Sequence, residues 1–232
     1  MKFIFYTHSD YSDVWPLMFG QANKYLEEYP KVVFTDKGKV PDGWDVIYYD
    51  NSLNYQQRIL TCLEQLDDEI VVFSHEDMLL YEQPDYSTLA RFKRIAQEND
   101  IFIKLLRGGY VDDLNQSELD KDLVVTTPEM IFTIQPTICQ RKHLMTMYRE
   151  TPGENIWSFE ANTVKTSNDH LFTGAMAFRP EDKKRGMYHY DSCIYPYIAT
   201  AVSKGKWMTS YYPELSAILQ KYNVDKSIRG EV

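Results

Sequence analysis

The chain has 232 residues, 44% of them hydrophobic and 25% charged, with a formal net charge of −9. That length supports one sizeable core, the composition is that of an ordinary soluble globular protein, and the acidic excess excludes a nucleic-acid backbone as the main partner. The cysteines Cys62, Cys139 and Cys193 are odd in number and lack CxxC spacing, which argues for reduced thiols in a cytoplasmic compartment and against a zinc site. The run Met1 to Tyr6 is too short for a signal peptide, and no apolar run approaches the ~18–20 residues that span a bilayer. The 18 Tyr exceed what a core alone demands, so exposed tyrosines are expected either to stack on sugars or bases or to cover ordinary surface.

In chain order, Phe3 to Thr7 reads as a first strand, followed by the polar run Thr7-His8-Ser9-Asp10. Residues 11–28 carry Val14, Leu17, Met18, Ala22, Tyr25 and Leu26 near a 3.6-residue repeat, which predicts a helix with Pro16 in its first turn. Val32 to Thr35 is a short strand and Asp36-Lys37-Gly38-Lys39 a turn. Asp45 to Tyr49 is a strand ending in Asp50-Asn51-Ser52, and a helix follows over 53–66. Ile70 to Phe73 is continuously apolar and β-rich, as a strand covered on both faces requires, and Ser74 leads into His75, Glu76 and Asp77. A helix opened by Pro84 runs to Asn99, and Ile101 to Leu106 is another buried strand, ending at Arg107-Gly108-Gly109. The polar stretch 111–121, with Asp112 and Asp113, reads as a surface loop or short helix, 124–126 with 131–134 as a hairpin, and 139–149 as a helix. Thr151-Pro152-Gly153-Glu154 has the form of a capping box that opens a further helix. Leu171 to Phe178 predicts a strand, 193–207 a helix beginning near Pro196, and 213–222 a last helix. The tail from Asp225 is expected to be mobile unless Arg229-Gly230 folds back over the site.

Strands alternating with helices through short connections predict an α/β fold, a mostly parallel central sheet flanked by helices. Ligands of such sheets sit beyond the carboxyl ends of the strands. The strands at 3–7, 45–49 and 70–74 all end in polar clusters, which are expected to line one crevice. Thr7, His8, Ser9, Asp10, Asp50 and Asn51 are its candidate substrate contacts. His75, Glu76 and Asp77 are candidate ligands of a divalent cation, which prefers hard oxygen donors. A solvated acidic turn would also explain them, but not the apolar strand before and Met78-Leu79-Leu80-Tyr81 after. Glu160 lies four residues from both Ile156 and Val164, and so on their apolar stripe, with Trp157 its neighbour on the helix surface. A carboxylate on an inward face needs a basic partner or a function.

Together these features resemble a GT-A-type glycosyltransferase, of the small kind found in bacteria and large DNA viruses. Val71-Val72-Phe73-Ser74-His75-Glu76-Asp77-Met78 resembles that family's strand and acidic metal element, and Gln135-Pro136-Thr137-Ile138 followed by Leu144 its segment before the acceptor helix. Asn155-Ile156-Trp157-Ser158-Phe159-Glu160 is similar to an N-x-W-x-x-E pattern, and Tyr195 to Trp207 to the family's closing helix. The acidic element departs from D-x-D, and Cys139 stands where the family has a large aromatic. The resemblance implies a single GT-A-like domain over 1–232, with a nucleotide-binding half at about 1–110 and an acceptor half, including a small C-terminal subregion, at about 111–232. It implies transfer of a sugar from a nucleotide-diphosphate donor to a hydroxyl of a glycan or polysaccharide, with Mn2+ or Mg2+ held by Asp77 with Glu76 or His75. Thr7 to Asp10 and Asp50 to Ser52 would contact base and ribose, Arg58 would join the substrate contacts, and Arg107 would touch the diphosphate or pair with an acid. Glu160 would be the general base of an inverting displacement, and Trp157 would stack on a sugar ring or pack in the core.

The rival readings are a nucleotidyltransferase and a catalytically silent nucleotide- or carbohydrate-binding module. Against the first, no Gly-rich phosphate loop follows Phe5-Tyr6-Thr7. For the second speak the tyrosines and the short acidic element. A hydrolase using His75 lacks a Ser or Cys nucleophile in a strained turn.

Overall fold

The computed structural model describes residues 1–109, 114–153 and 155–232. Asp112 and Asp113 of the polar stretch and Glu154 of the expected capping box lie outside them. The chain runs β1 (Lys2–Tyr6), α1 (Trp15–Tyr25), β2 (Lys31–Thr35), β3 (Asp45–Tyr48), α2 (Tyr55–Leu63), β4 (Ile70–His75), β5 (Leu79–Leu80) and α3 (Tyr86–Glu98). There follow β6 (Ile101–Lys104), β7 (Leu123–Val125), β8 (Thr137–Gln140), α4 (Arg141–Glu150), α5 (Ile156–Asp169) and β9 (Thr173–Ala177). Last come β10 (Lys184–Arg185), β11 (His189–Tyr190), β12 (Tyr197–Ile198), β13 (Val202–Ser203), β14 (Lys206–Trp207) and α6 (Pro213–Lys221).

The result is the expected α/β architecture. Eight strands form one sheet in the order β3-β2-β1-β4-β8-β6-β9-β7. The pairs β3–β2, β2–β1, β1–β4 and β6–β9 are parallel, while β8 runs antiparallel to β4 and β6, and β7 to β9. The carboxyl ends of β1, β2, β3, β4, β6 and β9 therefore share one edge. The order reverses between β1 and β4, and such a reversal opens a crevice at the strand ends. Phe3, Ile4, Val71, Val72, Phe102 and Ile103 are fully buried at the centre of the sheet, as strands covered on both faces must be. Helices α2 and α4 pack on each other, α3 lies against β6 and β8, and α1 against β5. Among the described residues no helix is long and apolar enough to cross a membrane.

Four expectations are corrected. Thr137 to Gln140, expected partly as helix, is a central strand, because its edges pair with β4 on one side and β6 on the other. The expected hairpin keeps only β7, which pairs with β9 instead, and Pro128–Met130 is a short 3-10 turn. Residues 193–207 are not a helix but the ribbon strands β12, β13 and β14. β13 and β14 are joined by Lys204 and Gly205 at φ 50 and 78, the left-handed backbone that tight hairpin turns demand. The helix expected from Thr151 starts four residues later. Its cap is Asn155, whose side chain accepts from the Trp157 and Ser158 amides while Ser158 Oγ accepts from the Asn155 amide. Thr151 instead bonds Thr166 Oγ1 at 2.8 Å in the core.

This placement can be checked through stability. If Asn155 caps α5, Asn155→Ala should cost ~1 kcal/mol in urea unfolding. If the helix began at Thr151, the same change would fall inside it and be neutral or slightly stabilising, since alanine is the better helix former.

Candidate functional site

At the ends of β1, β2 and β3, two of the expected clusters meet. His8 Nε2 lies 3.1 Å from Asn51 Oδ1, and its Nδ1 accepts from the Asp10 amide. Ser9 donates twice, from its amide and its hydroxyl, to Asp36 at 2.8 Å each. Burial opposes ionisation of Asp36, but the bonds from Ser9, with His8 beside it, hold its carboxyl below the usual range. Asp36 ends β2 and belongs to the crevice wall, although the sequence reading gave it only to a turn. Thr7 does not face the crevice. It is fully buried, accepting from Trp15 Nε1 on its hydroxyl and from the Tyr49 hydroxyl on its carbonyl. Asp10 and Asp50 are exposed on the rim, Asp50 turning back to the Ser52 amide. Arg58 lies over the Tyr49 ring and donates to the Leu53 and Asn51 carbonyls, so in this structure it shapes the 49–54 loop.

The end of β4 carries the acidic pair, and here the expected triad divides. Successive strand residues point to opposite faces. His75 turns into the aromatic cluster of Tyr6, Tyr55 and Phe73, its Nε2 3.1 Å from the Tyr55 hydroxyl. Burial depresses its pKa to about 3, so the ring stays neutral. His75 is thus a core imidazole, a correction to its reading as a cation ligand. Glu76 is buried, and Asp77 accepts from the Val202 amide at 3.3 Å on Oδ2 and from the Ala201 amide on its carbonyl. Both carboxyls are pushed up, first by burial and, for Glu76, also by the charge of Asp77, while Arg229 opposes the rise in both.

Among the described residues, no group of three or more His, Cys, Asp or Glu side chains converges to hold a metal ion. Two adjacent hard-oxygen donors whose own charges repel do suit a divalent cation that brings its remaining ligands with it, as Mg2+ does with phosphate oxygens and water. The fit is to such an ion, with Asp77 and Glu76 as protein contacts and without His75.

Beyond β6 lies a cavity of about 540 Å3, lined among others by Lys104, Gln135, Glu160, Tyr188, Thr200 and Tyr212. Glu160, half-buried on α5, accepts from the Ile134 amide at 3.2 Å. Burial raises its pKa, and the nearby Lys104 charge opposes this. Its helix buries Phe159, Thr163, Thr166 and Ser167, so Glu160 stands at the border of the packed face, beside the cavity. Trp157 is 79% exposed, which excludes the core role. Lys104, the last residue of β6, is 2% exposed and donates to the Met130 carbonyl; burial lowers its pKa to about 7. Gln135 accepts from the Tyr197 hydroxyl at 2.6 Å. Arg107 is buried between the rings of Phe178 and Tyr190, at 4.4 and 4.6 Å, and does not line this cavity. Cys139 is fully buried in β8 and makes no part of the cavity wall.

The sequence reading named Glu160, Glu76, Asp77, His8 and Asn51 as site residues and did not name Lys104 or Asp36 among them. Asp36 carried the signal used elsewhere, a polar residue closing an apolar strand, whereas Lys104 lies inside the apolar run Ile101 to Leu106.

No family model and no curated protein matches the chain. Solved structures with a similar course include the bifunctional IspDF from Campylobacter jejuni, at 14% identity and a TM-score of 0.45, matched over 78% of this chain. The chain spans 50% of the length of that protein. A 4-diphosphocytidyl-2C-methyl-D-erythritol synthase from Anaerococcus prevotii DSM 20548 matches over 76% of this chain and 88% of its own, at 11% identity and the same TM-score of 0.45.

The state of Lys104 has a consequence for stability. Its folded pKa, about 7, lies below the ~10.4 of an unfolded lysine. Between those values the unfolded chain binds the extra proton, so this residue's contribution makes stability rise with pH across the window, with the full penalty remaining below it. Urea unfolding at about pH 7 and about pH 9 should show a smaller rise in Lys104→Met than in wild type. Equal rises would show that Lys104 titrates normally.

Proposed function

We propose that the chain is a GT-A-type glycosyltransferase that moves a sugar from a nucleotide-diphosphate donor to an acceptor hydroxyl with inversion. The observation that carries this reading is Glu160, a half-buried carboxylate on the wall of a cavity that Ala199, Thr200 and Ser203 also line. The same stretch holds Asp77 through the Ala201 and Val202 amides, so base and acidic pair border one piece of backbone. A hydroxyl acceptor must lose a proton as it attacks, and a base within reach of that hydroxyl is what the reaction asks of the protein.

In this reading residues of about 1–110 hold the nucleotide and about 111–232 the acceptor, within one domain. His8, Ser9 and Asn51 face base and ribose, while Thr7, Asp36 and Arg58 fix the loops that carry them. Asp77 and Glu76 hold Mn2+ or Mg2+, which supplies neutralisation of the leaving diphosphate. Glu160 takes the acceptor proton as the hydroxyl oxygen bonds to the anomeric carbon and the bond to the diphosphate breaks. Protonated Lys104 beside it favours the ionised carboxylate that a base requires. The cavity volume and its tyrosines suit one or two sugar rings of a glycan or polysaccharide acceptor. The free thiols of Cys62, Cys139 and Cys193 suit a cytoplasmic setting.

Lys104 and Lys204 line the same cavity and favour a second reading, nucleotidyl transfer to a phosphate-bearing acceptor. The products separate the two. Incubation with a panel of nucleotide sugars, acceptor sugars and Mn2+ should release nucleoside diphosphate. Incubation with nucleoside triphosphates and sugar phosphates that released pyrophosphate instead would establish the second reading, and binding without turnover a silent module.

Glu160→Gln should lower turnover by ~10²–10⁴ while melting temperature and nucleoside-diphosphate affinity stay near wild type. A stable, fully active mutant would remove the base assignment. Asp77→Asn should weaken nucleoside-diphosphate binding in the presence of Mn2+ or Mg2+ and leave the metal-free affinity nearly unchanged. Equal wild-type affinities with and without EDTA would take the cation out of the mechanism.

A further inference from the structure

The tail from Asp225 is expected to be mobile, yet it is laced to β14. The Trp207 amide donates to the Gly230 carbonyl, the Val232 amide to the Trp207 carbonyl, and Lys226 Nζ to Glu231. Gly230 sits at φ 73, the left-handed backbone that a glycine takes without strain and that lets the chain turn here. This turn presents Arg229 to the β1–β4 crevice. Its guanidinium lies over the ring faces of Tyr11 at 4.7 Å and Trp207 at 5.7 Å and is paired side-on with Asp13, Nε and Nη2 each 2.5 Å from a carboxylate oxygen. The remaining nitrogen, Nη1, makes no hydrogen bond among the described residues. Arg229 is also the cation whose charge reaches both Glu76 and Asp77.

We propose that Arg229 is a contact for the donor diphosphate, with Asp13 holding the guanidinium in place of the ligand until it binds. The inference rests on the nucleotide-donor reading above. A diphosphate brought to the end of β4 meets two carboxylates, and Arg229, whose charge reaches both, adds to the divalent cation in offsetting them. Arginine suits this role because its planar fork bonds two oxygens of a phosphate as it bonds two of a carboxylate. Stacking on Tyr11 and Trp207 leaves the N–H edges of that fork free to exchange one anion for the other. Only 13% of the side chain is exposed, so the contact is poorly screened by water.

The test is calorimetric titration of adenosine, guanosine, cytidine, uridine and thymidine diphosphates, each with Mg2+, into the full chain and two variants. Arg229→Gln should weaken the best-bound diphosphate by ~10-fold or more, whereas Asp13→Asn, which removes the competing anion but keeps the arginine, should tighten it. Melting curves of all three proteins accompany the titrations. A merely structural ion pair predicts the same direction of change in both variants, so matching losses would overturn the proposal. Wild-type affinity in a folded Arg229→Gln would overturn it as well. If wild type bound none of the five, the donor reading would fall, and this inference with it.

Discussion

Two carboxylates, Glu76 and Asp77, leave the end of a strand whose other residues are all buried, and much of the surrounding chain answers to that placement. Adjacent like charges in a poorly solvated position raise each other's proton affinity, and left alone they would be costly to keep ionised. The Val202 amide reaches Asp77, and the Arg229 guanidinium brings a positive charge from the tail. Neither one neutralises the pair. In the function proposed above, a divalent cation that brings its own ligands completes the compensation.

The same contacts belong to a clasp between the segment joining β4 to α3 and the stretch that carries β12 and β13. Residues 194–202 run alongside 77–85: the Asp85 amide donates to Ile194, the Tyr81 amide to Pro196, β12 pairs with β5, and the Ala201 amide donates to Asp77. One side of this clasp fixes Asp77. The other, through Ala199, Thr200 and Ser203, is wall to the cavity that holds Glu160 and Lys104. The two candidate sites therefore share a stretch of backbone, as the proposed transfer from a donor to an acceptor would require.

Much of this was legible in the sequence where the governing forces are local. The apolar runs of β1, β4 and β6, the period of α1 with Pro16 in its first turn, and the polar residues closing β1, β3 and β4 are all short-range signals. The rule that parallel strands share a carboxyl edge then brought His8 and Asn51 together. Long-range choices were not legible. Thr137-Ile138-Cys139-Gln140 has no turn separating it from α4, and only the open edges of β4 and β6 make it a strand. The apolar residues of 193–207 fit a helical repeat as well as they fit ribbons, and the pairing of β12 with the distant β5, with the Lys204-Gly205 turn between β13 and β14, decides against the helix. His75 was grouped with its acidic neighbours by sequence, but the alternation of strand side chains sends it to the core. Lys104 lies inside the run read as the buried strand Ile101 to Leu106 and was not singled out, because its partner, the Met130 carbonyl, and the cavity wall come from distant segments.

The most direct measurement of the central claim is a crystal structure of the chain soaked with its best-bound nucleoside diphosphate and Mn2+. The account predicts nucleoside density between His8, Asp36 and Asn51, with the diphosphate and an anomalous manganese peak beside Glu76 and Asp77, leaving the Lys104–Glu160 cavity open for an acceptor. Nucleotide density inside that cavity, with the ends of β1 and β4 bare, would contradict it.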